Sequence, residues 1–305
     1  MSEENIKKSI REFYNQVGWQ TIGDMLYQNA QYEDLRPVSQ EYLHRCHMRV
    51  KRHLAPEGTY YLDAGSGPVQ YPEYLTYSEG YQARVCMDIS IVALKEARKR
   101  VGEHGLYVVA DITRLPFKSD LFDGTTALHT IHHVPMDEKR LAYDELHRTL
   151  KPGRQMVVVD GWTHSPLTDR LLGWMALMRR LRVLIKGKNG TGEEGSSEQQ
   201  GEPAPSPQGE VPSPKGTFVD KFTADGLIDL LSGAMDFDIL VWRSVSVSFL
   251  RSVIYPDWGG RTWLKILFWL EERFPKLLGR IGQYPLIVIR KPAGADEVPE
   301  TPSEV

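Results

Sequence analysis

An α/β fold built on a doubly wound, mostly parallel sheet is predicted by three features of this sequence. Short apolar runs alternate with amphipathic segments from residue 59 onward. Three successive runs each end in an aspartate, at Asp63, Asp88 and Asp111. A glycine turn, Gly65-Ser66-Gly67, follows the first of them. Parallel strands read as unbroken apolar runs because helices cover both faces of their sheet. Right-handed crossovers make such a sheet doubly wound.

Taken in order, residues 1–55 form a helical N-terminal segment. Ile6, Ile10 and Phe13 share one helical face, and Leu43, His47, Val50 and Leu54 share another before Pro56. The core is expected over 56–165. TYYLDAG (59–65) is its first strand, and a helix is expected near 73–78. QARVCMD (82–88) is the second strand. The helix at 90–102 has Ser90 as its N-cap and Gly102 as its stop. LYVVAD (106–111) is the third strand, and LFDGTTALH (121–129), weakened by Gly124, is the fourth. A helix over 137–150 stops at Lys151, Pro152 and Gly153 before QMVVVDGW (155–162), the fifth. An amphipathic helix is expected over 166–186. Residues 187–216 are rich in Gly, Pro, Ser and Glu and bury too little to offset their ordering entropy, so a disordered loop is expected there. Residues 217–291 return to the core, with a helix near 223–232, a strand at 237–245, a basic apolar helix at 262–280 kinked at Pro275, and a final strand at 284–291. Seven strands are expected in all, the last antiparallel, with a disordered tail over 292–305.

Composition narrows the function. A net charge of −3 and a pI near 6.3 argue against a dedicated nucleic-acid binder, which needs a strongly basic face. Two cysteines, Cys46 and Cys86, make no disulfide framework, so a reducing, cytoplasmic setting is expected. Neither CxxC nor HExxH occurs, and no metal site is expected. The charged start MSEENIKKSIREFYNQ lacks a signal-peptide apolar core, and no apolar run reaches the ~20 residues that span a bilayer.

The chemistry is carried by YYLDAGSGPVQ. Glycines let the backbone adopt positive φ and approach a ligand closely, although a GxG turn alone also ends many strands with no ligand. Asp88 follows about twenty residues later, where a carboxylate can accept both hydroxyls of a ribose. Asp111, ending the third strand, can accept from an adenine amino group. Any one of these aspartates could merely cap a turn. All three at the carboxyl edge, where open α/β sheets bind ligands, point to a nucleoside.

These motifs resemble the class I S-adenosylmethionine-dependent methyltransferases, in the small-molecule group that includes the ubiquinone and menaquinone enzymes. LDAGSGP, VCMDIS, VVADITRLPFKSDLFDGTTALHTIHHV and LHRTLKPGRQMVVVD follow the family's order over residues 58–160. The resemblance implies a Rossmann-like fold and S-adenosyl-L-methionine as cofactor. It implies that Asp63, Gly65 and Gly67 surround the methionine end, that Asp88 holds the ribose with Ile89 on the adenine, that Asp111 and Ile112 meet the adenine edge and face, and that His129 lies beside the sulfonium. Val69 stands where the family has its third glycine, and Arg154 where LKPGG has its second.

A hydroxyl or carbon acceptor needs a general base. His132, His133 and His164 follow the fourth and fifth strands at the reactive edge and are candidates because histidine as a residue type suits proton transfer near neutral pH; the first two serve equally well as loop-fixing residues. Tyr14 and Tyr27 either close over the cofactor or simply pack. The helices at 167–186 and 262–281 either pack on the domain, form a lid over an apolar acceptor, or lie on a membrane surface. The acceptor expected is small and apolar or lipid-linked. A nicotinamide-dependent oxidoreductase is the alternative enzyme, disfavoured because GSGPVQ stands where it needs GxGxxG. A non-catalytic cofactor-binding or membrane-associated module is the other alternative.

Overall fold

The computed structural model describes residues 3–19, 21–22, 26–27, 33–188 and 217–293. The disorder expected at 187–216 and 292–305 falls, from residue 189 and from residue 294 onward, outside the described residues. The chain opens with α1 (Glu3–Phe13), one π-helical turn (Tyr14–Gly18), the two-residue strands β1 (Thr21–Ile22) and β2 (Leu26–Tyr27), and α2 (Gln40–Lys51). The core follows as β3 (Gly58–Ala64), α3 (Pro72–Leu75), β4 (Tyr81–Asp88), α4 (Ile91–Val101), β5 (Gly105–Val109), β6 (Gly124–Leu128), α5 (Lys139–Thr149), β7 (Gln155–Val159) and α6 (Pro166–Lys188). It ends with α7 (Ala224–Leu231), β8 (Asp236–Arg243), α8 (Val247–Val253), α9 (Gly260–Arg273), α10 (Pro275–Ile281) and β9 (Tyr284–Arg290).

The seven-stranded sheet has the order β5-β4-β3-β6-β7-β9-β8. β9 runs antiparallel to both of its neighbours, and the pairs from β5 across to β7 are parallel. This is the Rossmann-like, doubly wound sheet that the apolar runs predict. Chain order reverses between β3 and β6, so the crossovers leave toward opposite faces there and open a crevice at the strand tips. One face carries a core of Leu62, Val85, Phe122, Leu146 and Ile287 under α5 and α7. The other carries Tyr42, Cys46, Val157, Trp242 and Leu286 beneath α2, α8 and α9.

Local signals hold where they are strong. Ser90 caps α4, its hydroxyl accepting from the Ala93 N–H, and Gly102 ends it with φ +62°. The helix expected over 262–280 is two helices, because Pro275 cannot continue the first and Phe274 turns to φ −129°, ψ 52°. α8 and the small antiparallel pair β1 and β2 have no counterpart among the expected elements. No described helix is long and apolar enough to cross a membrane.

Candidate active site

At the carboxyl edge of β3, β4 and β6 lies a cavity of about 610 Å³. Gly65, Gly67, Asp88, Ile89, Asp111, Ile112, His129 and His132 all line it. The turn after β3 explains why glycine stands there. Gly65 (φ +70°) donates its N–H to the Met87 carbonyl at 2.7 Å, and a Cβ on it would sit 2.3 Å from the Thr130 side chain. Gly67 (φ +52°) faces the Trp19 ring, which a Cβ would meet at 3.0 Å. Val69 keeps φ +54° although it is β-branched, held by burial against Cys86, Leu94 and Ala97.

Asp88 ends β4 with its carboxylate oriented by two backbone donors. Gly67 N–H donates to Oδ2 at 2.9 Å and Ser90 N–H to Oδ1 at 2.8 Å. Burial still pushes the carboxyl up to about 6, because the two donors return less than desolvation removes. An acid held this way retains lone pairs for further donors. Asp111 lies beyond the end of β5. The Thr113 N–H and hydroxyl both donate to its Oδ1 at 2.9 Å, and Lys7 of α1 meets Oδ2 at 2.7 Å. Burial works against ionisation here, but Lys7 and Thr113 hold the carboxyl below its ordinary value.

Asp63 departs from its expected place. It does not line the cavity. Its carboxylate turns into the sheet and pairs with Arg84 of β4, both side chains buried. A charge enclosed within a sheet needs an opposite charge more than a ligand does. His164 departs too. Its ring is largely exposed at the start of α6, 3.0 Å from Asp169 and away from the cavity.

The histidines after β6 are fixed by different partners. His133 Nδ1 lies 2.8 Å from the Phe218 carbonyl, which can only accept, so this nitrogen carries the proton and Nε2 accepts from the Tyr14 hydroxyl at 2.6 Å. Burial, then the neighbouring His132, lowers the His133 pKa to about 3, so it stays neutral. His132 Nδ1 lies 2.5 Å from Asp160 Oδ1, just past β7. The carboxylate accepts a hydrogen bond from Nδ1–H, which leaves the ring's lone pair on Nε2 of a residue on the cavity wall. Burial would raise the Asp160 pKa, but His132 and the Gly161 N–H carry it below its ordinary value. Beyond His132 the wall is aromatic: His129 lies edge-on to Trp242 and Tyr284, at 5.1 and 6.0 Å between ring centres. Burial depresses His129 to about 3.

The N-terminal helix closes the opposite side. Lys7, Tyr14 and Trp19 line the cavity, and Tyr14 stacks on Trp19 at 5.2 Å. The side chain of Tyr27 lies outside the described residues. Sequence reasoning missed Asp160, Lys7, Trp19, Trp242 and Arg243. Asp160 alone had a visible signal, since it is a further aspartate directly following a strand. Among the described residues no cluster of histidine, cysteine or carboxylate could hold a metal.

In chemical terms the cavity offers a buried carboxylate for paired hydroxyls, two isoleucines for a flat ring, a second carboxylate, and an oriented imidazole facing an aromatic wall. Residues 62–158 match the family model of the methyltransferase domain. A 181-residue stretch is 26 % identical to a "Probable tRNA methyltransferase 9B" of Bos taurus, covering 56 % of this chain and 38 % of that protein. Phosphoethanolamine N-methyltransferase 1 of Haemonchus contortus, solved with phosphoethanolamine and S-adenosylhomocysteine, superposes with a TM-score of 0.57 at 11 % identity, over 97 % of this chain and 51 % of that one. A SAM-dependent methyltransferase of Thermotoga maritima gives 0.46 at 17 % identity, over 82 % and 90 %.

Proposed function

We propose that this chain, whose residues 62–158 match the methyltransferase-domain family model, is a class I S-adenosylmethionine-dependent methyltransferase that acts on a small, apolar or lipid-linked acceptor with His132 as general base. One observation carries the proposal: the glycine turn, the Asp88 and Asp111 carboxylates and His132, which has Asp160 behind it, border a single cavity.

The residues present suit the cofactor. The positive-φ glycines let the turn pack tightly against Thr130 and Trp19 at the cavity wall, Asp88 keeps acceptor capacity for ribose hydroxyls, and Ile89 and Ile112 offer apolar faces to a purine. When bound, S-adenosylmethionine supplies an electrophilic methyl group on a sulfonium. Asp88 and the turn bind and orient; Tyr14 and Trp19, which follow α1, exclude water. Asp160 fixes the His132 tautomer, so Nε2 can take the proton that a hydroxyl or carbon acceptor sheds. The aromatic wall of His129, Trp242 and Tyr284 favours an apolar acceptor, and a lipid-linked one would be met at the edge of a membrane.

The test uses deuterated-methyl cofactor incubated with the protein and a lipid-containing extract, with labelled products read by mass spectrometry. Asp88→Ala is expected to weaken cofactor binding at least about tenfold, since a carboxylate hydrogen bonded to neutral donors contributes more than an ordinary hydrogen bond. His132→Ala is expected to leave binding intact and slow transfer by about 10²–10⁴-fold, and Asp160→Asn to slow it as well by reversing the tautomer. Unchanged binding in Asp88→Ala would remove the site assignment. Binding without labelled product would make the chain a non-catalytic module.

A further inference from the structure

We infer that the outer face of α9 and α10 docks on an anionic lipid surface. α9 buries Leu264, Phe268 and Glu271 and turns a different row outward. On α9, Trp263, Ile266 and Leu270 follow one another at steps of three and four residues, the spacing of one helical face, Phe274 at the break and Leu277 on α10 add to the apolar surface, and every one is exposed. Trp269 sits in the adjacent row. The two tryptophans are 59 % and 62 % exposed, which no packing on this domain explains.

Charge decides the occupant. Arg261, Lys265 and Arg273 share the row of Trp269 at steps of four, and Arg280 extends it one helix further. None of these four cations has an acidic partner among the described residues, whereas Lys276 beside them is held by Asp238 at 2.7 Å. The carboxylates of the two helices are withdrawn: Glu271 is buried on Arg49, and Glu272 is held by Arg49 and Arg52 of α2. The face therefore combines a tryptophan-bearing apolar stripe with a positive row whose members make no ion pair among the described residues. Tryptophan rings settle at the level of lipid headgroups, and lysine and arginine stems extend along apolar surface to reach anionic phosphates. A second copy of the chain would set this positive row against itself, because a two-fold contact joins identical patches. α9 supplies Leu264 and Phe268, and the two cations nearest its start, Arg261 and Lys265, to a second cavity of about 750 Å³, which shares Glu33 and Tyr71 with the first. Docking by this face would set that second cavity beside the lipid, a link to the acceptor that rests on the methyl-transfer proposal.

The experiment is flotation of the full chain with vesicles of phosphatidylcholine alone or with about a third phosphatidylglycerol, alongside titration of S-adenosylhomocysteine on the same samples. Binding to the acidic vesicles only is expected, and it should fade as salt shortens the screening length from about 10 Å at 0.1 M to about 3 Å at 1 M. Trp263→Gln with Trp269→Gln, and separately Lys265→Glu with Arg273→Glu, are each expected to lower partitioning at least about tenfold with melting temperature and nucleoside binding unchanged. The inference is overturned if the parent chain ignores acidic vesicles, if either pair of substitutions floats like the parent, or if sedimentation shows a dimer that the tryptophan substitutions dissolve. Failure to float with nucleoside binding intact leaves the methyl-transfer proposal standing.

Discussion

Asp63 and Asp88 are the same residue type at the ends of neighbouring strands, and their surroundings give them opposite roles. Asp63 is enclosed with Arg84 between the strands and their covering helices, with the Tyr61 ring 5.3 Å from the guanidinium. Removing one partner of a buried pair strands the other charge, which costs about 3–5 kcal/mol. Arg84→Met is therefore expected to lower unfolding stability by that amount in urea titrations. Adding Asp63→Leu is expected to recover most of it, and a double variant no more stable than the single one would show that the pair is not the cause. Asp88 instead bears an unrelieved desolvation cost at the cavity wall, which is the condition of a group built to receive donors. The sequence locates both aspartates at strand ends but does not tell them apart, because residue 63 meets its partner 21 positions away on β4.

The N-terminal helix is the element on which access to the cavity depends. α1 is tied across the opening by Lys7 on Asp111 and Glu138, while the Tyr14 hydroxyl meets His133 and the Ser90 hydroxyl meets Asn15. A ligand amine that needs Asp111 competes with Lys7 for it. Lys7→Met is expected to loosen α1, raising amide exchange over residues 3–18 several-fold in the nucleoside-free protein, since exchange follows local opening. Unchanged exchange would mean that the aromatic contacts alone hold the helix. Elements also differ in how legible they are. α4 announces itself through Ser90 and Gly102. α8 is seven residues long with two β-branched members, too short for periodicity to reveal, and only Ser246, whose hydroxyl accepts from the Phe249 N–H at 3.1 Å, marked its start.

Across the whole molecule, the buried His47 and the half-buried His129 and His133 set the acid limit of stability. Burial lowers His129 and His133 from 6.5 to about 3 and His47 to about 4. An unfolded chain takes up these protons below about pH 6.5 and the folded one does not, so stability present above that pH is lost as pH falls toward 4. By pH 5 each histidine accounts for roughly 2 kcal/mol. Asp88 acts in the opposite sense. Its raised pKa, about 6, makes it a source of stability at low pH that is lost as pH rises through 6, and by pH 5 it returns only about 1–2 kcal/mol. The histidines prevail, and the melting temperature is expected to fall continuously from pH 7 to pH 5. His47→Phe is expected to flatten that slope, and a melting temperature constant across the range would refute the assignment of these three histidines as neutral.

The sequence by itself determined the alternation of strands and helices, the glycine turn and the residues at the strand tips. These features rest on side-chain periodicity and local backbone conformation, which neighbouring residues dictate. Only the tertiary structure decided that Asp63 faces Arg84 and not the cavity, that His132 rather than His164 stands at the wall with Asp160 behind it, and that α1 covers the site. Those outcomes depend on buried polar groups finding partners tens of residues away, and on which faces the fold leaves in contact with solvent.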